Sequence, residues 1–285
     1  MKSLHIITLL LLAATAQVKS QTHQFDWAAR IGGTGFDIVN DAATDAAGNS
    51  YITGIYHNTV DFNPGAGVFN MTSQGSNDVF IVKLDASGNF VWAKSLGGLS
   101  DDKSNAIAVG SGKLFITGRF AGTADFDPGS GTASQTSSGF TDGFLVSLDT
   151  AGNFIAVARA GGSGGDNIMD VTLNGPGTCV VSGFFESTLN FFPPAPGSAL
   201  VSAGSYDAFI ACFDLSLNPV WTRRMGGPTA DHASAIGSDG AGNIVYGGFF
   251  TGTGDYDPGP AVFNLTTTGS FDLVISRLTP SGDFD

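Results

Sequence analysis

Asp125 and Asp127 stand two apart in DFDPG at 125–129, and Asp255 and Asp257 repeat the arrangement in DYDPG at 255–259. Asp61 and Asn63 hold the same places in DFNPG at 61–65. Carboxylates so spaced on a tight loop can ligate Ca2+, which takes about 6–8 oxygens. Asp78, Asp142, Asp207 and Asp272 follow the corners and could complete a cage. However, the third copy reads NFFPP at 190–194, with no acid at either place. The same letters also make a structural corner, in which the first Asp caps a turn and Pro-Gly sets the backbone. The corner reading is favoured, with a structural Ca2+ on Asp61, Asp125, Asp127, Asp255 and Asp257 as the alternative.

The remaining polar residues offer less. A glycosidase needs two carboxylates facing each other across a cleft, whereas the other acids recur in DASGN and DAAGN contexts that read as Asx turns. His23, His57 and His232 lack a second ligand at metal-like spacing and read as exposed loop residues. Glu186, the one Glu, is slender support for acid–base chemistry. GGSGGD at 161–166 lacks the Lys-Ser/Thr of a phosphate loop and reads as a turn. No residue is assigned as catalytic or cofactor-binding. Cys179 and Cys212 fall on strands expected to be neighbours, so a disulfide is one reading and two small buried apolar residues the other.

The elements that must position these residues come from an internal repeat. Gly-Gly pairs begin at Gly32, Gly97, Gly161 and Gly226, a period of 64–65 residues. The DPG-type corners hold the same register, as do NDVFIVKLD at 77–85, TDGFLVSLD at 141–149, YDAFIACFD at 206–214 and FDLVISRLT at 271–279. Each unit reads as four strands. In the second they are NAIAVG at 105–110, KLFITGRF at 113–120, DGFLVSLD at 142–149 and the Trp-bearing NFVWAKSL at 89–96, which precedes the others in the chain. Phe144, Val146 and Leu148 share one face at period two. Four strands per repeat and no helical periodicity predict an all-β propeller of four blades. Small residues place NAIAVG and HASAIG (232–237) innermost. Trp27, Trp92 and Trp221 belong outermost, covering the gaps between blades. In this phase residues 25–33 form a lone outer strand, expected to lie beside 271–279 and close the ring. The alternative is a segment of a larger propeller. The third unit departs most, with Ala156-Val157 in place of Trp, Phe184-Phe185 and Phe191-Phe192-Pro193-Pro194.

Composition narrows the partners. A net charge of −13 disfavours nucleic acid and anionic membrane surfaces. Lys2, the apolar run from Ile6 to Ala14 and Ala14-Thr15-Ala16 read as an export signal over residues 1–20 without a lipid-anchor cysteine. That run is too short to span a bilayer, which needs about 20 apolar residues. The expected location is secreted, periplasmic or cell-surface.

GSNDVFIVKLDASGNFVWAKSLGG at 75–98, AAGNSYITG at 46–54 and DFDPG at 125–129 resemble the bacterial seven-bladed β-propeller (SBBP) repeat family over residues 25–285. The resemblance implies an exported or surface protein of Bacteroidetes type and supplies no catalytic residues. The units run approximately 25–90, 91–154, 155–219 and 220–285. The function expected is a non-enzymatic scaffold that binds a protein or glycan, the alternatives being a polysaccharide hydrolase or lyase, or a fragment of a larger surface protein.

Overall fold

A computed structural model describes residues 26–194 and 199–285. Residues 1–20, read above as an export signal, lie outside the described residues, as does His23. A short strand, β1 (Gly32–Gly33), precedes the first unit: β2 (Ile38–Thr44), β3 (Ser50–Tyr56), β4 (Thr59–Asp61), β5 (Asn70–Thr72), β6 (Asp78–Leu84) and β7 (Phe90–Gly98). The second comprises β8 (Lys103–Gly110), β9 (Lys113–Phe120), β10 (Thr123–Asp125), β11 (Ser134–Thr136), β12 (Asp142–Asp149) and β13 (Phe154–Gly161). The third has four strands, β14 (Asn167–Asn174), β15 (Thr178–Phe192), β16 (Leu200–Asp214) and β17 (Pro219–Met225), the middle two of 15 residues each. The fourth contains β18 (Asp231–Ser238), β19 (Ile244–Phe250), β20 (Thr253–Asp255), β21 (Asn264–Thr266) and β22 (Asp272–Leu278).

The strands pair as antiparallel meanders, β2-β3-β6-β7, β8-β9-β12-β13, β14-β15-β16-β17 and β18-β19-β22. Strands β2, β8, β14 and β18 touch one another in succession and are therefore innermost, as their small residues require. The fold is β-propeller-like.

Each sheet flanked by two others buries both faces. One face looks back to the preceding sheet (leading) and the other forward to the next (trailing). In β12, Phe144, Val146 and Leu148 pack backward against Val79 and Ile81 of β6, while Leu145 packs forward against Phe209 and Phe213 of β16. Period-two alternation thus divides each strand between two cores rather than between core and water.

The corners hold more structure than turns. In three units DPG lies in a small hairpin, β4–β5, β10–β11 or β20–β21, inserted between the second and third strands of the meander. The hairpin reaches back to the preceding outer strand: Asp125 pairs with Gly97 and Ala124 with Gly98. Gly226 and Asp255 exchange two backbone hydrogen bonds in the same way. This hairpin accounts for a repeat longer than the ~40–50 residues usual for a blade.

The first strand does not close the ring. Gly32 and Gly33 pair with Asp61 and Val60 of β4, repeating the contact of Gly97-Gly98 with β10. Trp27 lies over Gly88, as Trp92 lies over Gly152 and Trp221 over Gly282. Residues 26–33 therefore sit on the first sheet, in the place of a preceding sheet's outer strand, and not beside β22. The four sheets form an arc, because the leading face of the first and the trailing face of the fourth are open. Trp92 and Trp221 do bridge to the next sheet, donating Nε1–H to the carbonyls of Thr150 and Pro280.

A bulge kinks every inner strand, between Val39 and Asp41, Ser104 and Ala106, Ile168 and Asp170, and Ala233 and Ala235. Opposite it the second strand carries Gly54, Gly118, Gly183 or Gly248. A Cβ on Gly118 would collide with the carbonyl of Lys103 and the ring of Phe144. Gly118→Ala is expected to lower stability by about 3 kcal/mol. Gly177→Ala, whose added methyl would meet open space, is expected to stay within about 0.5 kcal/mol. Urea unfolding midpoints test the pair.

Candidate functional site

The corner acids are committed to the backbone. Asp125 Oδ1 accepts N–H bonds from Asp127 and Ala133, and Asp127 Oδ1 accepts one from Gly129. Asp61 and Asp255 do the same with Asn63 and Phe69, and with Asp257 and Phe263. Asp257 Oδ1 accepts from Gly259, and Asn63 Oδ1 from Gly65. Asp78, Asp142, Asp207 and Asp272 cap a different loop, each accepting the N–H of the residue four positions earlier. Among the described residues no three His, Cys, Asp or Glu side chains come together to hold a metal ion. At each of these corners the Oδ1 atoms are engaged by the turn's own backbone, as the structural-corner reading expects.

Cys179 and Cys212 are free thiols, not a disulfide. Their strands are neighbours, but Cys179 lies opposite Phe213 and Cys212 opposite Val180. That one-residue offset sends the side chains to opposite faces of the sheet. Burial pushes their pKa values up to about 12 and about 11, so both behave as small apolar residues.

A second set of carboxylates sits at the junctions between sheets. The sequence carries it as Gly-Gly-x-x-x-Asp, a signal that turn reading alone passes over. Asp102 Oδ2 accepts the N–H of Gly98 at 2.7 Å, and Asp166 and Asp231 accept from Gly162 and Gly227 at the same distance. All three are buried. Asp78, Asp142 and Asp207 lie close by on the third strands. Arg159 Nη1 reaches Asp142 Oδ2 at 2.8 Å, and Arg224 pairs with Asp207. At the first junction Ser95 replaces the arginine and bonds to Tyr56 instead; Oδ1 of buried Asp78, like that of Asp207, has no partner among the described residues. Burial lifts Asp78 to about 6 and Asp102 and Asp166 to about 7. Because the motif recurs at every junction, it holds sheets in place rather than serving one substrate.

What does not recur is an aromatic row across the third and fourth sheets. The inward ring of His232, on β18, is stacked between two phenylalanines. Phe184 lies 3.9 Å away on one side and Phe249 4.3 Å away on the other, centroid to centroid. Tyr206 meets Phe184 edge-on at 5.3 Å, and Phe271 meets Phe249 at 5.5 Å. In the second unit the places of Phe184 and His232 hold Arg119 and Lys103, so the shelf belongs to one side of the arc. The rings are half-buried, except Phe271, which is largely exposed. His232 is thus not a loop residue. Burial pulls its pKa down to about 4, leaving a neutral ring at physiological pH. Glu186 stands across from Tyr206 and accepts the N–H of Gly165 at 3.3 Å. His57 stays at the surface, with Nδ1 3.0 Å from the carbonyl of Ser76. In the Phe-Phe-Pro-Pro segment Phe191 is buried against Phe209 and Phe213, while Phe192 is exposed beneath the Arg159 guanidinium.

No family model matches the chain. It is similar to an uncharacterized WD repeat-containing protein of Acanthamoeba polyphaga mimivirus, 26% identical over 227 residues, with 70% of this chain and 16% of that protein covered. It is also similar to Regulatory protein FlaEY of Caulobacter vibrioides, 26% identical over 213 residues, with 73% of this chain and 22% of that protein covered. The chain thus spans less than a quarter of the length of either relative. Likeness to a WD-repeat protein agrees with the β-propeller-like architecture. No helix among the described residues is long and apolar enough to cross a membrane.

The junction carboxylates make stability pH-dependent. Between an unfolded pKa of about 3.9 and folded values of about 7, folded Asp102 and Asp166 hold protons that the unfolded chain has released. Stability is therefore expected to fall as pH rises from about 4 to about 7, and then to level off. Below that window the sign reverses. Hydrogen bonds from Asn243 hold Asp239 at about 2, so its contribution is lost on acidification. Asp102→Asn is expected to flatten the upper slope, as read from urea midpoints against pH.

Proposed function

We propose that this protein is an exported, non-enzymatic β-propeller repeat scaffold, of the bacterial seven-bladed repeat type, whose aromatic shelf docks a partner protein. The sandwich of His232 between Phe184 and Phe249 carries this reading. A general base works best with a pKa near the operating pH. A half-buried imidazole near 4 is a poor base but a good flat surface. Phe271 and Tyr206 extend the row at right angles to its ends, leaving ring faces and edges for apolar contact. Aromatic clusters of this kind dominate the energy of many protein interfaces. Repeat folds lend themselves to such docking. The partner's identity is not specified by the shelf. A glycan is the second reading, because aromatic rings also stack on apolar faces.

The acids elsewhere support a scaffold by being occupied, since those at the corners and junctions accept backbone N–H groups. Export rests on Lys2, the run Ile6–Ala14 and the small residues at 14–16. It predicts that protein recovered from its native host begins near residue 17 or 21 by mass spectrometry.

Binding is tested by isothermal titration against a panel of extracellular proteins and soluble polysaccharides, with product analysis for cleavage. The expected result is binding without turnover, weakened at least tenfold, about 1.4 kcal/mol, by Phe271→Ala and by Phe249→Ala. Phe271 is largely exposed, so its replacement leaves folding intact. Turnover of a polysaccharide, or binding that both variants leave unchanged, would sink the proposal.

A further inference from the structure

Where each inner strand begins, two side chains stand opposite each other. One belongs to the inner strand and the other directly follows the glycine of the second strand. The pairs are Lys103 with Arg119, Asn167 with Phe184, and His232 with Phe249. Successive pairs meet across the junctions, since Phe184 stacks on His232 of the next sheet and β9 lies against β14 in the same way. A continuous row therefore runs from two cations, past an amide, onto the aromatic shelf. Asn167 in the middle is buried and occupied, its Oδ1 accepting from Asn105 Nδ2 at 2.7 Å. Lys103, Arg119, Phe184 and His232 are half-buried and reach the surface.

Arg119 differs from the other arginines of the sheets. Arg159, Arg223, Arg224 and Arg277 each pair with an aspartate, whereas Arg119 forms no ion pair or side-chain hydrogen bond among the described residues. Lys103 beside it meets Asp101 at 3.1 Å, in a bridge that water reaches. The neighbouring acids are engaged elsewhere: Asp102 and Asp166 lie buried on the N–H groups of Gly98 and Gly162, and Glu186 faces Tyr206 and takes the N–H of Gly165. An uncompensated guanidinium thus adjoins the shelf in a chain of net charge −13. Such a chain repels anions at long range, so this cation acts on a group already in contact with it.

The rings favour the same charge. Phe184 and His232 cover each other's faces and turn their edges outward. Aromatic edges carry partial positive charge, which suits carboxylate oxygens and apolar side chains. A sugar stacks on a ring face instead, and within this stack the faces are taken. Taking the docking role of the shelf as its basis, we propose that the partner protein is held through an extended acidic segment. One apolar or aromatic side chain of that segment packs on the edges of Phe184 and His232, and one Asp or Glu carboxylate lies on Arg119 and Lys103. Packed sheets stand about 10 Å apart and an extended chain advances about 3.3 Å per residue, so the acid and the apolar anchor are about three residues apart or fewer.

The whole protein is offered a random peptide library displayed on phage, and the selected peptides are synthesised and titrated calorimetrically. The expected binders carry a bulky apolar residue with an acid within about three positions of it. Their affinity is expected to fall about tenfold or more with Arg119→Gln, to survive in part with Arg119→Lys, and to weaken between about 0.05 and 0.5 M salt. Replacing the peptide's acid by its amide should cost as much, and reads the same contact without touching the fold. Lys94→Ala, which removes a cation from the outer strand β7, should change nothing. Peptides that need His232 but neither an acid nor Arg119 would leave the docking reading standing and overturn this one. Arg119-dependent binding of oligogalacturonate, with no acidic peptide selected, would overturn it in favour of an acidic glycan. Should every selected peptide bind equally well to His232→Ala and Tyr206→Ala, the shelf docks no peptide and both readings fall.

Discussion

A sheet that is apolar on both faces cannot stand alone in water. Everything else in this protein follows from that requirement. Phe144, Val146 and Leu148 point one way from β12 and Leu145 the other, and all are fully buried. Burying each such side chain is worth about 1.5–3 kcal/mol, so an uncovered face forgoes several kcal/mol. Each sheet therefore has to be stacked between two others, and the chain meets the demand by repeating one unit. The small residues of the inner strands let the sheets converge there. The bulges, with Gly54, Gly118, Gly183 and Gly248 opposite them, let the inner strand bend without losing its partner.

Polar groups at the junctions serve the same end. A buried carboxylate is costly unless its oxygens find donors. Asp102, Asp166 and Asp231 find them in the backbone of the Gly-Gly loops, and Asp142 and Asp207 find arginines. These groups are as repetitive as the apolar ones. The aromatic row from Tyr206 to Phe271 is of another kind. It sets rings on one side of the arc at positions that hold Lys103 and Arg119 in the second unit, and no packing rule of the repeat demands it. Chemistry that differs between otherwise equivalent units is where recognition is best sought.

The sequence displayed much of this. Period, strand order and the interior place of NAIAVG were legible because three markers keep one register and side-chain size tracks distance from the axis. The inserted hairpins were not. DPG reads as a single turn, and the strands flanking it are three residues long and paired to a different unit. His232 was misplaced because an isolated histidine gives no hint of flanking rings, which come from β15 and β19, distant in sequence. The cysteine pair failed on a register shift of one residue, which strand assignment alone cannot supply. Closure by residues 25–33 failed for a similar reason. Phase in the repeat says which strand type they are, but not which sheet they join. The Gly-Gly-x-x-x-Asp loop was within reach, since Asp37, Asp102, Asp166 and Asp231 keep the same distance from their glycines.

The backward reach of the hairpins also orders events in time. Gly97 and Gly98 receive their partners only from residues 124 and 125, which belong to the following unit. A nascent chain thus cannot finish one unit until part of the next has emerged. Each new arrival fastens its predecessor, and assembly proceeds as a ratchet running from the N-terminus, with the latest unit always the least secured.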